Sequence, residues 1–272
     1  MASPMIGVQL NPGFGKRPVE DLAGVLRGVR AAGFDGVEAG LLCDGDVRQA
    51  GRALGDEGLV QWSLHTGYGA DYGVDAEIEY LNDLGGKFIV VSGVGHSQPG
   101  GLRPYEEAAE VLNRVGERCA AAGLTFCYHN HGWEFQEFNG TAGLDRLIEL
   151  TDPSLVKLCV DVFWALYGGR NPVEFTGAHL SRVAYVHLKD LKYIGPEPRR
   201  TGVLHPIHPR LPLDGEAEYV ELGRGEVDLP GIWRLLQPLD QPWVVYEQDE
   251  ASIPPGEAAA ISRRYLRERL GI

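Results

Sequence analysis

The sequence predicts an α/β protein with a single domain, a (β/α)₈ TIM barrel that takes in residues 1–272. Eight short apolar segments alternate with longer amphipathic ones, and eight strands over this length match such a barrel. The main rival is a doubly wound sheet, which would carry a glycine-rich phosphate loop after an early strand. The sequence contains neither the GxGxxG motif nor a P-loop, and this favours the barrel.

The eight predicted strands are short runs that are mostly rich in valine, leucine and aromatic residues. They cover residues 6–10, 36–39, 60–65, 88–92, 124–129, 156–161, 183–188 and 243–247. The intervening segments have helical periodicity, most clearly at 19–32, 47–57, 105–122 and 256–270. Gly33 and Gly123 follow two of these segments, where glycine typically ends a helix.

One region does not fit the alternation of strands and helices. Residues 192–221 are rich in proline, glycine and histidine, and they are long for a loop in a compact domain. We therefore predict an irregular insertion that is either a functional lid or a flexible segment. Its histidines, His205 and His208, are expected to be solvated.

Composition excludes several classes of function. The chain has 25 basic and 38 acidic residues and a formal net charge of −13, which disfavours binding to nucleic acid. No apolar run approaches the length of a membrane span, and the first residues do not resemble a signal peptide, so we expect no membrane contact and a cytoplasmic location. The four cysteines are scattered and form no CxxC pair, as expected of reduced thiols.

Polar residues gather where the predicted strands end, which is where the chemistry of a barrel enzyme sits. Histidines and carboxylates in such a group suit a divalent ion such as Mn²⁺, Mg²⁺, Co²⁺ or Zn²⁺. An ion there could polarise a hydroxyl–carbonyl pair for removal of the neighbouring proton. The residues at or just beyond the strand ends are Glu38, His65, Ser92, His96, His129, His131, Glu134, Asp161, His187, Lys189, Asp190, Glu247 and Asp249.

The strength of the metal prediction differs among these positions. Asp161 follows an apolar strand, where a charge needs compensation that a metal ion would give, and His187 and Glu247 are similarly placed. Glu38 could instead form a salt bridge across the mouth. His65 could contact a ligand or hydrogen-bond the loop backbone, and the same holds for His96.

Five sequence motifs also resemble a known family. They are YHNHGWEF at 128–135, VDVFW at 160–164, VHLKD at 186–190, LGRGEVD at 222–228 and VYEQD at 245–249. Together these motifs resemble the xylose-isomerase-like TIM-barrel superfamily, which contains sugar (phosphate) isomerases and epimerases and inosose dehydratases. The match extends from the fifth strand to the eighth, and the first half of the chain fits by general pattern.

The resemblance implies one divalent metal ion held by Glu134, Asp161, His187 and Glu247. It also implies a metal-dependent isomerase or epimerase in which Glu134 and Glu247 move a proton through an enediolate. If the fifth strand instead offers His129 and His131, imidazole acid–base chemistry would suit a lyase or dehydratase acting on a keto-sugar or keto-inositol. The expected substrate contacts come from His65, His96, Trp133, Trp164, Lys189 and Asp190.

The expected partner is a small sugar or polyol. Arg199 and Arg200 are the only adjacent arginines outside the last helix, so an unphosphorylated substrate is favoured. Endonuclease IV shares the fold, but its additional histidines have no counterpart after Asp161, and the net charge also disfavours DNA. A non-catalytic sugar-binding barrel is the alternative from another class. Since dimers are common in the family, the resemblance also allows a homo-oligomer.

Overall fold

A computed structural model describes residues 4–10, 21–69, 72–96, 101–194, 217–239 and 243–272. Its centre is a closed barrel of eight parallel strands, in which each strand pairs with its neighbours in chain order and the last pairs with the first. This confirms the predicted TIM barrel. The barrel strands are β1 (Met5–Gln9), β2 (Gly36–Ala39), β3 (Val60–Gly67), β4 (Phe88–Ser92), β5 (Thr125–His129), β6 (Val156–Asp161), β7 (Val183–Leu188) and β8 (Trp243–Tyr246).

Helices follow the strands and pack around the barrel. They are α1 (Leu22–Ala32), α2 (Val47–Asp56), α3 (Asp75–Asp83), α4 (Arg103–Ala121), α5 (Gly143–Leu150), α6 (Val162–Tyr167), α7 (Pro172–Ala178), α8 (Leu229–Leu236) and α9 (Pro255–Tyr265), the last extended by a π-helical turn at Leu266–Leu270. Gly33 ends α1 with φ 92° and donates its N–H to Arg30 and Val29, as the sequence predicts. Within the described ranges, no helix has both the length and the apolar character needed to cross a bilayer.

The two ends of the predicted insertion are strands and not irregular structure, and for the rest of it the prediction stands untested. Asp190–Tyr193 pairs antiparallel with Ala217–Val220, and we call these two strands the ribbon. Residues 195–216, which include His205, His208, Arg199 and Arg200, lie outside the described residues. That residues 1–272 form one domain stays a prediction.

A packed floor closes the end of the barrel opposite to the strand carboxyl ends. Trp243 is fully buried there, and its Nε1 donates to Ser63 Oγ at 2.9 Å across the barrel. Two glycines make room for its ring, because a Cβ at Gly7 would lie 2.2 Å from the Trp243 ring and one at Gly36 would lie 3.1 Å from it. The floor gives the strands a fixed base from which their polar ends project.

Candidate metal centre and substrate pocket

Four consecutive barrel strands bring two histidines and two carboxylates together at the mouth. β5 ends with His129, β6 ends with Asp161, β7 carries His187, and Glu247 directly follows β8. One nitrogen or oxygen from each of the four lies within 4.8 Å of all the others, and all four side chains are buried. We call His129, Asp161, His187 and Glu247 the metal group.

The metal group contains polar atoms that other described residues leave without hydrogen bonds. Asp161 Oδ1 accepts from the backbone N–H of Trp164 at 2.8 Å, whereas Asp161 Oδ2 and both ring nitrogens of His129 have no hydrogen-bond partner. His129 Nε2 lies 3.5 Å from Asp161 Oδ2 and 3.7 Å from Glu247 Oε2. Buried polar atoms without partners are costly. Two donors on one ion at ~2.1 Å lie roughly 3 to 3.5 Å apart, so these atoms fit a divalent ion.

His187 lies between two buried carboxylates. Its Nδ1 is 2.7 Å from Glu247 Oε2, and its Nε2 is 2.9 Å from Glu38 Oε1. Burial would lower the pKa of His187, but the charges of Cys159, Glu38 and Glu247 outweigh it and raise the pKa well above its usual value. Glu38 also accepts hydrogen bonds from Gln9 and Tyr185. Its ion pair with His187 is the salt bridge across the barrel mouth given as an alternative, and it holds the imidazole from behind.

Glu134, expected from the motif as the first metal ligand, does not join the metal group. It lies in a short 3₁₀ turn, Trp133–Phe135, and its carboxylate accepts from the Tyr128 hydroxyl and from the backbone N–H of His131. Burial raises the pKa of Glu134 to about 8. The turn points the carboxylate back towards β5, and His129 takes the place in the metal group that Glu134 was expected to fill.

A cavity of about 400 Å³ opens above the metal group. His131 and Trp133 form one side, with their rings stacked 4.3 Å apart at 16°, and Trp164 lies 5.5 Å from the His131 ring. Trp133 Nε1 donates to the Val94 carbonyl at 3.0 Å, which fixes the indole in the wall. Burial lowers the pKa of His131 well below its usual value, so this ring is neutral at neutral pH.

His65 and His96, expected to contact substrate, both line the cavity. His65 is held on both sides: its Nδ1 lies 3.2 Å from Glu38 Oε1 and its Nε2 lies 3.0 Å from Ser92 Oγ. The ring of His96 lies 5.1 Å from that of Trp133. His65 is therefore hydrogen-bonded to side chains rather than to loop backbone, and that it contacts a substrate stays a prediction.

Lys189 is buried behind the metal group, not in the cavity wall. Its ammonium contacts Asp249, a residue that does line the cavity, and lies 3.8 Å from Asp161 Oδ2 and from Glu247 Oε1. Burial would lower the pKa of Lys189, but Asp249, Glu247 and Asp161 outweigh it and raise the pKa. Tyr219, from the ribbon, packs beside this pair and was not singled out by the sequence.

Asp190 has a different environment from the one expected of a substrate contact. Its carboxylate is buried and accepts hydrogen bonds from the backbone N–H groups of Leu191, Gly223, Gly225 and Val227. It does not line the cavity, because its oxygens bind the backbone N–H groups of the loop 221–228, which surrounds the carboxylate. The sequence expectation for Asp190 is therefore replaced by a structural role.

Comparison with known proteins identifies the family. The model of the xylose isomerase-like TIM barrel family matches residues 26–269. The chain belongs to this family. Among curated relatives, the inosose dehydratase of Clostridium beijerinckii is 30% identical over 217 residues, which are 72% of this chain and 69% of that protein. The inosose dehydratase of Geobacillus kaustophilus is 31% identical over 211 residues, 69% of this chain and 65% of that protein.

Similar solved structures share the fold at lower identity. A sugar phosphate isomerase/epimerase from Parabacteroides distasonis has a TM-score of 0.75 at 21% identity and covers 99% of this chain and 95% of its own. The IOLI protein, solved with a bound zinc atom, has a TM-score of 0.70 at 14% identity, covering 97% of both chains. The curated relatives are dehydratases, the solved structures share the fold of this chain, and its buried cluster could hold a divalent metal ion.

Proposed function

We propose that the chain is a divalent-metal-dependent lyase that removes water from a keto-sugar or a cyclic keto-polyol. The observation that carries the proposal is the pair of histidines that β5 supplies. His129 belongs to the metal group and His131 lines the cavity, whereas the carboxylate of Glu134 is bound to Tyr128 and to the backbone. The enediolate mechanism expected from the resemblance uses two opposed glutamates. Among the described residues, β5 offers His129 and not a glutamate opposite Glu247.

His129, Asp161, His187 and Glu247 would hold the ion, which supplies polarisation of the substrate carbonyl and stabilises the negative charge that develops beside it. Glu38 would orient His187. Asp161 Oδ2 and the His129 nitrogens, which lack hydrogen-bond partners, support this assignment. The group also contains no cysteine, which disfavours a closed structural zinc site.

His131 is the proposed acid–base residue. Its ring lines the cavity, and a neutral imidazole there can accept the proton from the carbon next to the carbonyl. As that C–H bond breaks, a C=C bond forms and the C–O bond at the next carbon breaks. The protonated ring then returns its proton to the departing hydroxyl, which leaves as water, and the enol product tautomerises to a ketone.

The cavity walls suit an unphosphorylated ring. Trp133 and Trp164 offer an apolar surface for the carbon face of a sugar, and His96 faces the cavity where a hydroxyl group would lie. Among the described residues that line the cavity, none is lysine or arginine, and Glu247 and Asp249 add negative charge that would repel a phosphate group.

Isomerase or epimerase activity is the second candidate, because Glu247 lines the cavity and can itself move a proton beside a carbonyl. A keto-inositol and a 3-keto-hexose, incubated with enzyme and Mn²⁺ or Co²⁺ in D₂O, separate the two by mass spectrometry. The lyase gives a product lighter by one water, whereas the isomerase gives a product that retains every oxygen and gains deuterium. A metal-loaded enzyme that does neither would support the non-catalytic alternative.

His131→Phe tests the assigned role, since phenylalanine keeps the stacking on Trp133 but cannot accept a proton. We expect loss of at least roughly 100-fold in kcat with metal binding retained. The matched control is His96→Phe, at another histidine of the cavity wall, for which a change mainly in KM is expected. Equal loss of kcat in both variants would contradict the role of His131.

A further inference from the structure

Lys189 is a fully buried cation that shares its carboxylates with the metal group. It is 1% exposed, and its ammonium reaches three acids: Asp249 in direct contact, and Asp161 and Glu247 at 3.8 Å. Two of these three acids belong to the metal group. The ammonium and a metal ion would therefore both interact with the carboxylates of Asp161 and Glu247.

Aromatic rings fix the position of this ammonium. Lys189 Nζ lies 5.2 Å from the ring centre of Phe163, 5.0 Å from that of Trp164 and 5.4 Å from that of Tyr219. These three rings and Asp249 form what we call the lysine cage. A cation held over ring faces and excluded from water keeps both its charge and its place. The rings and Asp249 therefore hold the ammonium beside the metal group.

Counting charges shows what the lysine cage does to the site. Asp161 and Glu247 together balance one divalent ion, and Lys189 and Asp249 balance each other. Before an ion binds, the ammonium reduces the repulsion between the two buried carboxylates. After an ion binds, the Lys189 ammonium would remain close to it. Two positive charges that share the same carboxylates in a poorly solvated site repel strongly.

We infer that Lys189 acts as a counter-cation with two effects. It stabilises the two carboxylates of the metal group when no ion is bound, and it lowers the affinity of the metal group for a divalent ion. The inference rests on the metal site of the proposed function. Lys189 is a positioning residue in this scheme: it acts through Asp161, Glu247 and Asp249. Removal of the Lys189 ammonium should therefore raise the affinity for the metal ion, whereas the loss of a buried residue from a binding site usually lowers affinity.

The test is isothermal titration calorimetry of the wild type and of Lys189→Met. Each protein is first treated with a chelator and then titrated with Co²⁺ or with Mn²⁺. Methionine is close to lysine in side-chain length and can pack against the aromatic rings of the lysine cage. We expect Lys189→Met to bind each ion more tightly, on the order of a hundredfold, and to unfold more readily without an ion. Lys87→Met is the matched control, because Lys87 also lies over an aromatic ring, Trp62 at 4.7 Å, but at the opposite end of the barrel.

A second variant covers the case in which Lys189→Met fails to fold. Asp249→Asn frees the ammonium to approach Asp161 and Glu247 more closely, so metal binding should weaken. The double variant Lys189→Met/Asp249→Asn removes both charges and should bind close to the wild-type affinity. The Co²⁺ absorption spectrum should keep its band pattern in every variant, because no ligand of the ion has been changed.

The outcomes separate this inference from the proposed function. A wild type that binds neither ion overturns the metal site itself. A wild type that binds, with Lys189→Met binding equally or less tightly, overturns the counter-cation inference and leaves the metal site standing. Asp249→Asn binding more tightly than the wild type would also overturn it, since the ammonium would then not compete with the ion.

Discussion

Asp161 uses its two carboxylate oxygens for different purposes. Oδ1 caps the first turn of α6 through the N–H of Trp164, and Oδ2 faces His129 in the metal group. A single side chain thus joins helix stability to the metal site. Asparagine can replace the first function, because it caps helices as well as aspartate does, but it cannot supply the charge needed for the second.

Comparing Asp161→Asn with Asp161→Ala separates these two functions. Both variants should lose metal affinity by at least roughly 100-fold, since one charged ligand is missing. Without metal, Asp161→Ala should be less stable than Asp161→Asn by about 1 kcal/mol, the usual value of a helix cap. Urea unfolding in the presence of a chelator measures the second difference, and equal stabilities would show that the cap contributes nothing.

Glu134 gives the protein a stability that depends on pH. Its pKa rises from 4.5 to about 8 because it is buried, so between these values the folded chain holds a proton that the unfolded chain has lost. This contribution is fully present below pH ~4.5 and is lost as the pH rises towards ~8. In that window, the unfolding free energy of the wild type should fall relative to Glu134→Gln by about 1.4 kcal/mol per pH unit.

Urea unfolding of chelator-treated protein across this pH range checks the prediction. Glu137→Gln is the control, because Glu137 is an exposed carboxylate three residues away. It should run parallel to the wild type at every pH. If Glu134→Gln also runs parallel, Glu134 is ionised in the folded protein and its environment is more polar than its burial implies.

The residues of the site were partly predictable from the sequence. Asp161, His187 and Glu247 end apolar strands, and parallel strands in a barrel bring such ends together, as the structure shows. Glu134 lies beyond its strand, where a turn decides the direction of the side chain. Its carboxylate accepts a hydrogen bond from Tyr128 instead of facing the metal group. Which partner a side chain binds in this way leaves no periodic pattern in a sequence.

At the scale of elements, Asp190 and the loop 221–228 form one folded unit attached to the ribbon. The carboxylate accepts four backbone hydrogen bonds, three of them from this loop. Gly225 is required for the close approach, because a Cβ there would lie 2.2 Å from Asp190 Oδ1 and from the Leu191 carbonyl. The loop can therefore wrap the carboxylate only with glycine at this position.

Gly225→Ala should destabilise the protein by about 1 to 3 kcal/mol, the usual cost of forcing an atom into a packed site. It should also lower activity, because the ribbon carries Tyr219 of the lysine cage. Gly256→Ala is the control, since no atom lies within 4 Å of a Cβ built there. Thermal unfolding measures both, and equal melting temperatures would show that the loop yields at low cost.

Local pattern explains why the barrel strands were predictable and the ribbon was not. Each barrel strand is buried in the sheet, so its apolar run is visible in the sequence, and β2, β4, β6 and β7 have the predicted bounds. The ribbon pairs Asp190–Tyr193 with Ala217–Val220 across more than twenty intervening residues. Neither strand has a distinctive composition, and the pairing depends on tertiary contacts such as those of Asp190 and Tyr219.

For the whole molecule, metal binding should appear as a gain in global stability. The four ligands come from four consecutive strands, so an ion at the mouth would link half of the barrel. Binding to the folded state alone at 100 times Kd adds ~2.7 kcal/mol, which corresponds to roughly 5 °C in melting temperature for a chain of this size. Scanning calorimetry with Mn²⁺ and with chelator measures it, and Asp161→Asn should show no such gain.

The packed floor under Trp243 has a consequence for the traffic of molecules through the enzyme. Because Trp243 and its neighbours fill one end of the barrel, the described residues leave the cavity open only at the strand carboxyl ends, where substrate would enter and product would leave. A product molecule must vacate the aromatic wall before the next substrate can stack on it. The product should therefore act as a competitive inhibitor, which initial rates measured with added product would show.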